Sequence, residues 1–158
     1  MIVTSNTVEH NFSIPNLTTV GQVDLNLDVI EQVTILIESS TTFDHTYTTV
    51  VYDNINNPGS SGITTIVTES KTVDKSCQYN VSLATAGITT FSAFDDLTED
   101  EVLQWAFAAD ASTKATNQSA NETSVLEKKD RILNPLLYKK DSPVTPWQRR
   151  ADEASVSE

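Results

Sequence analysis

The chain has 158 residues, enough for one domain with a single core, and its 22 Thr, 16 Ser and 11 Asn residues favour strands and turns over long helices. The net charge of -12 argues against nucleic-acid binding, because an acidic surface repels phosphate groups. The single Cys77 excludes a disulfide within the chain and a zinc site built on several cysteines.

The N-terminal residues 1–15 lack the basic stretch followed by a long apolar stretch that marks a secretory signal. The longest apolar-dominated run, Val33–Ile37, is far shorter than the roughly 18 residues of a membrane-spanning helix. The sequence therefore predicts a protein that folds in a reducing cytoplasm and has no membrane partner.

The first half of the chain alternates apolar and polar side chains with the period of a strand. From Val23 to Ile37 every odd position except Glu31 is apolar. This pattern predicts either one long strand with a bend or bulge near residues 30–32, or two strands in the same phase.

Three shorter strands are predicted further along, at 46–53, 63–68 and 77–83. The first two flank a loop at 54–62, where an Asn-Asn-Pro-Gly sequence interrupts regular structure. In the third strand Cys77 shares the apolar phase with Tyr79, which predicts a buried structural thiol. Together the patterns indicate five or six antiparallel strands, arranged as a small β-sandwich or as an open sheet.

Helical signals begin after Asp95. The sequence Thr98-Glu-Asp-Glu101 has the form of a capping box and predicts a helix from Thr98 to about Ala109. The polar stretch Asp110–Ser124 leaves its own conformation open. A second helix that ends at Asn134-Pro135 is predicted by four apolar residues repeating at an interval of seven: Val125, Leu126, Ile132 and Leu133.

The predicted fold class is mainly β with a C-terminal α segment. We expect a β domain over residues 1–94 and a helical segment over 95–134. An extended C-terminal arm with an acidic tail is expected over 135–158.

Patterns typical of catalysis or metal binding are not recognised in the sequence. The histidines His10 and His45 are expected on exposed parts of strands or turns, and no Gly-x-Ser-x-Gly sequence supplies a nucleophile. The spacing of Asp24, Asn26 and Asp28 matches the first ligand positions of a calcium-binding loop. The glycine and the glutamate that complete such a loop are missing. The sequence therefore predicts a protein that is not an enzyme and holds no cofactor and no metal.

Two tryptophans are candidates for partner contacts. Trp105 lies on the first predicted helix, where it can pack on the sheet or face a partner. Trp147 lies in an extended segment bounded by prolines, where an aromatic side chain can bind a neighbouring subunit or pack on the chain's own domain. The predicted partner interface consists of these two residues and apolar residues of the C-terminal arm: Trp105, Leu136, Leu137, Tyr138, Pro146 and Trp147.

Three segments of the sequence resemble motifs of one group of proteins: Gly21-Gln-Val-Asp24, Phe94-Asp-Asp-Leu-Thr-Glu-Asp-Glu-Val-Leu-Gln-Trp105, and Arg131-Ile-Leu-Asn-Pro135 with the later Pro146-Trp147. The first resembles the Gly-Gln-x-Asp opening of the β domain in a group of small structural proteins of tailed phages of marine bacteria. The second, which is the most specific, is similar to their Leu-Thr-Glu-x-x-Val-x-x-Trp helix start. The third resembles their Lys-Asn-Pro and closing Pro-Trp sequences.

This resemblance spans residues 20–147, brings no catalytic residues, and implies a virion structural protein. We expect a head decoration or cement protein, anchored through its C-terminal arm to the major capsid protein or other virion proteins. It would be made in the host cytoplasm and be homo-oligomeric or lattice-bound. The alternatives are a tail- or neck-associated protein, or a glycan-binding module whose exposed aromatic rings would be Phe43, Tyr47 and Tyr52.

Overall fold

The computed structural model describes residues 1–23, 26–51, 62–86 and 92–135, without the side chains at 22, 23, 26 and 27. The described residues form four strands, β1 (Ile2–Ser5), β2 (Val8–Val23), β3 (Asn26–Val51) and β4 (Ile63–Ser82). A short 3-10 turn, Phe94–Asp96, precedes two helices, α1 (Glu99–Ala109) and α2 (Ala111–Leu133).

The four strands form one antiparallel sheet in the order β1-β2-β3-β4. The predicted fold class, mainly β with C-terminal helices, is confirmed, and of the two predicted arrangements the open sheet is the one observed. Both helices lie on one face of this sheet. The core between the layers contains Phe12, Ile30, Val33, Ile35, Ile37, Val81, Val102, Leu103 and Ala106.

The described part of the chain contains fewer and longer strands than expected. Residues 38–45 join the segment predicted as strand up to Ile37 to the strand predicted at 46–53, and residues 69–76 join the strands predicted at 63–68 and 77–83. The joining residues are polar, yet they stay extended because their side chains find partners. Thr41 donates to the carbonyl oxygen of Thr7 (2.9 Å), and the hydroxyls of Thr42 and Thr72 pair across the strands (2.8 Å).

Of the alternatives predicted for residues 23–37, a bulge near residues 30–32 is the one observed. The register between β2 and β3 shifts where Thr18 pairs with Gln32 and Thr19 with Ile30, which leaves Glu31 as an extra residue in β3. The start of this strand was placed too early, since Val23 ends β2 and pairs with Asn26 at the start of β3.

The capping box is confirmed at α1. Thr98 accepts from the backbone N–H of Glu101 (3.3 Å), and the Glu101 carboxylate accepts from the backbone N–H of Thr98 (2.9 Å). These bonds hold the pKa of Glu101 below its usual range, with the backbone N–H of Thr98 as the largest cause.

The ambiguous stretch 110–124 is helical, because α2 starts at Ala111, earlier than the predicted second helix. Asp110 caps it by accepting from the backbone N–H of Thr113 (3.1 Å). The polar residues Asn117 and Asn121 and the apolar Val125 follow each other at intervals of four, so they share one helix face. That face packs on the sheet. No helix among the described residues is long and apolar enough to cross a membrane.

Candidate functional site

The most distinctive feature of the molecule is a two-stranded ribbon formed by residues 41–51 of β3 and 63–73 of β4. The last residue of β3 that pairs with β2 is Ser40, opposite Glu9. From Thr41 to Val51, β3 pairs only with β4 among the described strands. Eleven residues of strand span about 36 Å, so the ribbon extends well beyond the last position at which β2 pairs with β3.

Helix α2 covers only the base of this ribbon. The helix runs in the direction of β3, since Asn121 donates to the carbonyl oxygen of Ile37 (3.2 Å) while the Lys129 ammonium lies 5.5 Å from the centre of the Phe43 ring. Leu133 ends the helix one turn later, about 6 Å further on, which is level with His45. The outer six residues of each strand therefore have no described helix above them.

The outer part of the ribbon exposes apolar side chains. Val50, Val51, Ile63 and Ile66 are between 42% and 73% exposed, whereas the inner-face residues at the base, such as Phe43, are half-buried. Val51 and Ile63 pair on one face of the ribbon, and Val50 and Ile66 lie on the opposite face. Apolar side chains exposed on both faces at the end of a polar ribbon are typical of a contact with another macromolecule. Pairs of threonines across the ribbon stabilise the two strands. The hydroxyls of Thr46 and Thr68, for example, lie 2.9 Å apart.

A buried polar network lies where α2 crosses the sheet. His10 is fully buried on β2, and its Nδ1 is 2.8 Å from the hydroxyl of Ser39 on β3. Its Nε2 is 3.3 Å from the Glu122 carboxylate on α2. The expectation that His10 is exposed was wrong, because β2 places it opposite Ser39 on the helix-covered face. His45 is on a strand as expected, but half-buried.

The directions of these hydrogen bonds can be assigned from the donors. The Asn121 side-chain amide donates to the Ser39 hydroxyl oxygen (3.2 Å), so the hydroxyl proton is free to be donated to Nδ1 of His10. In the tautomer that accepts from Ser39 at Nδ1, His10 donates from Nε2 to Glu122. The carboxylate also accepts from Asn6, and this bond is the largest cause that lowers the pKa of Glu122.

A serine, a histidine and a carboxylate in sequence resemble a hydrolase triad, but the geometry favours a structural role. Ser39 is 1% exposed and its oxygen already accepts from Asn121, so a substrate carbonyl has no path to it. The three side chains connect β2, β3 and α2, and each satisfies the others' buried polar atoms. This network fixes the helix on the sheet.

The open face of the sheet carries a shallow depression of about 340 Å³ lined largely by polar side chains, among them Glu9, Glu38 and Asp74. Within the described ranges, no three His, Cys, Asp or Glu side chains are arranged to hold a metal ion. The Asp24-Asn26-Asp28 spacing falls partly on side chains outside the described residues.

Cys77 is half-buried, rather than fully buried as predicted, and its Sγ lies 3.8 Å from Oδ1 of Asn117. Burial raises the pKa of its thiol, which favours the unreactive protonated form. The neighbouring Tyr79 is partly buried on the same face, and burial, assisted by the charge of Asp110, raises its pKa to about 12.

Of the predicted interface residues, only Trp105 lies in the described part of the chain. It is 44% exposed on α1, while Leu103 and Ala106 face the core. Trp105 is therefore not fully buried against the sheet, and part of its side chain is accessible to a partner. The remaining residues of that interface lie outside the described residues: Leu136, Leu137, Tyr138, Pro146 and Trp147.

Residues 7–147 match a protein family described as a domain of unknown function, DUF7936. The chain belongs to this family. The DUF7936 match includes β2, β3, β4 and both helices, and hence the ribbon and the buried network, while β1 and residues 148–158 lie outside it. Comparisons with curated proteins and with solved structures give no match.

Proposed function

We propose that this protein is a non-enzymatic structural component of a phage virion, which decorates or cements the head through contacts with neighbouring proteins. The observation that carries the proposal is the ribbon, whose exposed apolar end projects beyond the core and beyond α2. A projecting apolar element is stable in an assembly because a neighbour can remove it from water.

Two further observations support an assembly role. The only Ser-His-carboxylate arrangement among the described residues is buried and tied to the fold, so it offers a substrate no access. The exposed Trp105 provides a second aromatic contact point on the helical side of the molecule. The motif around this residue is also the most specific part of the resemblance to tailed-phage structural proteins.

Charge gives the proposed orientation of the contacts. Residues 1–97 contain 11 acidic and 2 basic residues, whereas residues 98–158 contain 11 acidic and 8 basic residues. A strongly acidic β domain suits the solvent-facing side of a particle. The C-terminal arm, residues 135–158, contains 4 acidic and 4 basic residues, so it would meet a neighbour with less charge repulsion than the β domain.

The glycan-binding alternative gains no support from the aromatic residues named for it. The ring of Phe43 lies beneath the Lys129 ammonium, and Tyr47 packs against His45 with ring centres 5.2 Å apart. Neither ring forms an open platform for stacking a sugar. Tyr52 lies outside the described residues.

Copy number in purified particles tests the proposal. Quantitative mass spectrometry should give a number comparable with that of the major capsid protein, because a decoration protein repeats with the lattice. A small fixed number that matches a ring would place the protein in the tail or neck instead. Absence from particles would overturn the virion proposal.

Anchoring by the C-terminal arm is tested with two truncations. A chain ending at Leu133 should fail to join particles, whereas a chain ending at Trp147 keeps the whole family match and should join normally. Normal incorporation of the shorter chain would remove the anchoring role.

The ribbon end is tested with the double variant Ile63→Thr and Ile66→Thr. Threonine preserves strand propensity but removes apolar surface, so incorporation should fall while the melting temperature stays unchanged. Ile2→Thr is the matched control, since Ile2 is also 69% exposed but lies on β1, outside the ribbon. Equal incorporation of both variants would contradict a role for the ribbon end.

A further inference from the structure

Three rings lie in a row on the helix-facing side of the ribbon. Phe43, His45 and Tyr47 occupy alternate positions of β3, and Val67 of β4 pairs with Tyr47 at the outer end of the row. These four residues form the aromatic strip. All four are half-buried, whereas the β3 side chains between the rings, on the opposite face, are exposed. The helix-facing side is therefore the more shielded and more apolar side of the ribbon.

Helix α2 covers only the first ring of the aromatic strip. The Lys129 ammonium lies 5.5 Å from the centre of the Phe43 ring, and the helix ends level with His45. Tyr47 and Val67 lie about 7 Å further along the ribbon, where no described helix is above them. A segment that packs on this outer half would remove large apolar surfaces from water.

The chain leaves α2 beside the uncovered half of the strip. The helix runs in the direction of β3, so the chain points towards the outer end of the ribbon at Leu133. An extended chain advances about 3.3 Å per residue. The residues directly after Pro135 are therefore long enough to reach Tyr47 and Val67.

The five residues after Pro135 match the ribbon in composition and in charge. They are Leu136, Leu137, Tyr138, Lys139 and Lys140, and they follow the part of the chain that the structure describes. The first three are large apolar or aromatic residues. The ribbon and the loop that connects its strands, residues 41–73, contain three acidic residues and one basic residue. The two lysines complement this net charge of -2.

We propose that residues 136–140 continue along the ribbon and cover the outer half of the aromatic strip of their own chain. Leu136, Leu137 and Tyr138 pack on Tyr47 and Val67. Helix α2 holds one end of the segment beside the strip, so the effective concentration of the segment is high compared with that of a free partner. The segment and α2 then form one continuous layer over the helix-facing side of the ribbon.

An unpaired polar atom lies where this segment begins to cover the strip. Nδ1 of His45 is shielded from water and has no hydrogen-bond partner among the described residues. The ring itself packs against Tyr47, with ring centres 5.2 Å apart. A backbone group of the segment can form the missing hydrogen bond and remove the cost of leaving the nitrogen unpaired.

The proposal goes beyond the virion function and does not depend on it. It assigns the first part of the C-terminal arm to the ribbon of the same chain and leaves Pro146 and Trp147 for a neighbouring protein. The exposed Val50 and Ile66, on the opposite face of the ribbon, also remain free for such a contact. The tests use the purified chain, so their failure and the failure of the virion proposal are distinguishable.

The first test is a cross-link within one chain, made with a short bifunctional maleimide in a Cys77→Ser background. Lys139→Cys is combined either with Thr65→Cys, on the helix-facing side, or with Thr64→Cys, on the opposite face. Both threonines are exposed, so the reagent reaches either position. The chain with Thr65→Cys should be linked internally. The chain with Thr64→Cys should not, because the sheet lies between its two thiols.

The second test follows hydrogen exchange of the backbone amides that join residues 45–51 to residues 63–69. The double variant Leu136→Ser and Leu137→Ser should exchange at these positions about tenfold faster than the wild type, because the strip loses its apolar cover. The matched control from later in the arm is Pro146→Ser with Trp147→Ser, which should exchange like the wild type.

Equal linking of the Thr65→Cys and Thr64→Cys chains, or no link in either, overturns the proposal. A link that joins two chains also overturns it, since the occupant would then come from a second copy. Ribbon exchange that stays unchanged in Leu136→Ser with Leu137→Ser, or that changes equally in both double variants, would show that this segment does not cover the strip.

Discussion

The hydroxyl of Ser39 and Nδ1 of His10 lie 2.8 Å apart in the interior of the molecule, where the two residues pair across the neighbouring strands β2 and β3. Asn121 completes the contact from α2 by donating to the same hydroxyl oxygen. This pair therefore links the sheet to the helix at the point where the ribbon begins.

Replacing Ser39 with Ala should destabilise the protein by about 1–3 kcal/mol, because Nδ1 of His10 would be left buried without its donor. Ser40→Ala is the control, since its side chain points to the opposite face, and should change the free energy of unfolding by less than about 0.5 kcal/mol. Urea unfolding measures both values. Equal effects would show that the buried contact contributes nothing specific.

Ser39 should not react with a fluorophosphonate probe, which labels serines activated as nucleophiles. The expectation follows from its burial and from its hydrogen bond with Asn121. A serine hydrolase in the same mixture controls for probe activity. Labelling that disappears in Ser39→Ala would identify this residue as an active nucleophile and contradict the non-enzymatic proposal.

The stability of the protein should fall in acid partly through Glu122. Its hydrogen bonds, first that from Asn6, lower its pKa in the folded state below the ordinary 4.5. The contribution is therefore complete above about pH 4.5 and is lost as the pH falls through the folded-state pKa.

Glu122→Gln should reduce stability at neutral pH and make the acid decline shallower. A residual slope is expected, because Glu101 and Asp110 also have lowered pKa values from helix capping. Thermal melts between neutral and acidic pH measure the change. An acid decline as steep as that of the wild type would argue against a role for Glu122.

The turn between β1 and β2 contains removable backbone strain. Asn6 and Thr7 both have positive φ, 45° and 66°, which is a conformation that Asn tolerates and a β-branched residue avoids. Thr7→Gly should therefore stabilise the protein by about 1 kcal/mol. The backbone carbonyl that accepts from Thr41 is retained.

Thr4→Gly, in the extended part of β1, is the control for this variant and should be destabilising. Calorimetry compares the two melting temperatures. A loss of stability in Thr7→Gly would show that the Thr7 side chain contributes more than its backbone strain costs.

Leu103 and Trp105 are near neighbours on α1, yet their substitutions should act on different properties. Leu103→Ala should cost about 2–5 kcal/mol of folding stability, because its side chain is fully buried in the core. Trp105→Ala should cost less stability, because Trp105 is 44% exposed, and should reduce incorporation into particles. Unfolding curves and particle composition measure the two effects, and a large loss of stability in Trp105→Ala would assign that ring to the fold.

The sequence contains weak signals for β2, for the burial of His10 and for the ribbon, none of which was predicted. Val8, His10, Phe12 and Ile14 alternate with polar residues, which is the signature of β2 and of the buried position of His10. The ribbon was visible as a run from Thr41 to Val51 without a glycine or proline. Its polar composition hid it, because threonine is common in loops as well as in strands.

The features that depend on near neighbours in the chain could be predicted from the residues alone. The period-2 alternation predicted strands, and the bulge near Glu31 followed from one break in that alternation. The capping box at Thr98 located the start of α1, since both partners lie within one helical turn.

Tertiary structure decided the features that depend on distant partners. The helical conformation of 111–124 relies on the contacts of Asn117 and Asn121 with the sheet, and the burial of His10 relies on Ser39 and Glu122. The length of the ribbon is set by where β2 stops pairing, at Ser40. No local pattern encodes such contacts, because their energy arises only when segments far apart in the chain are packed together.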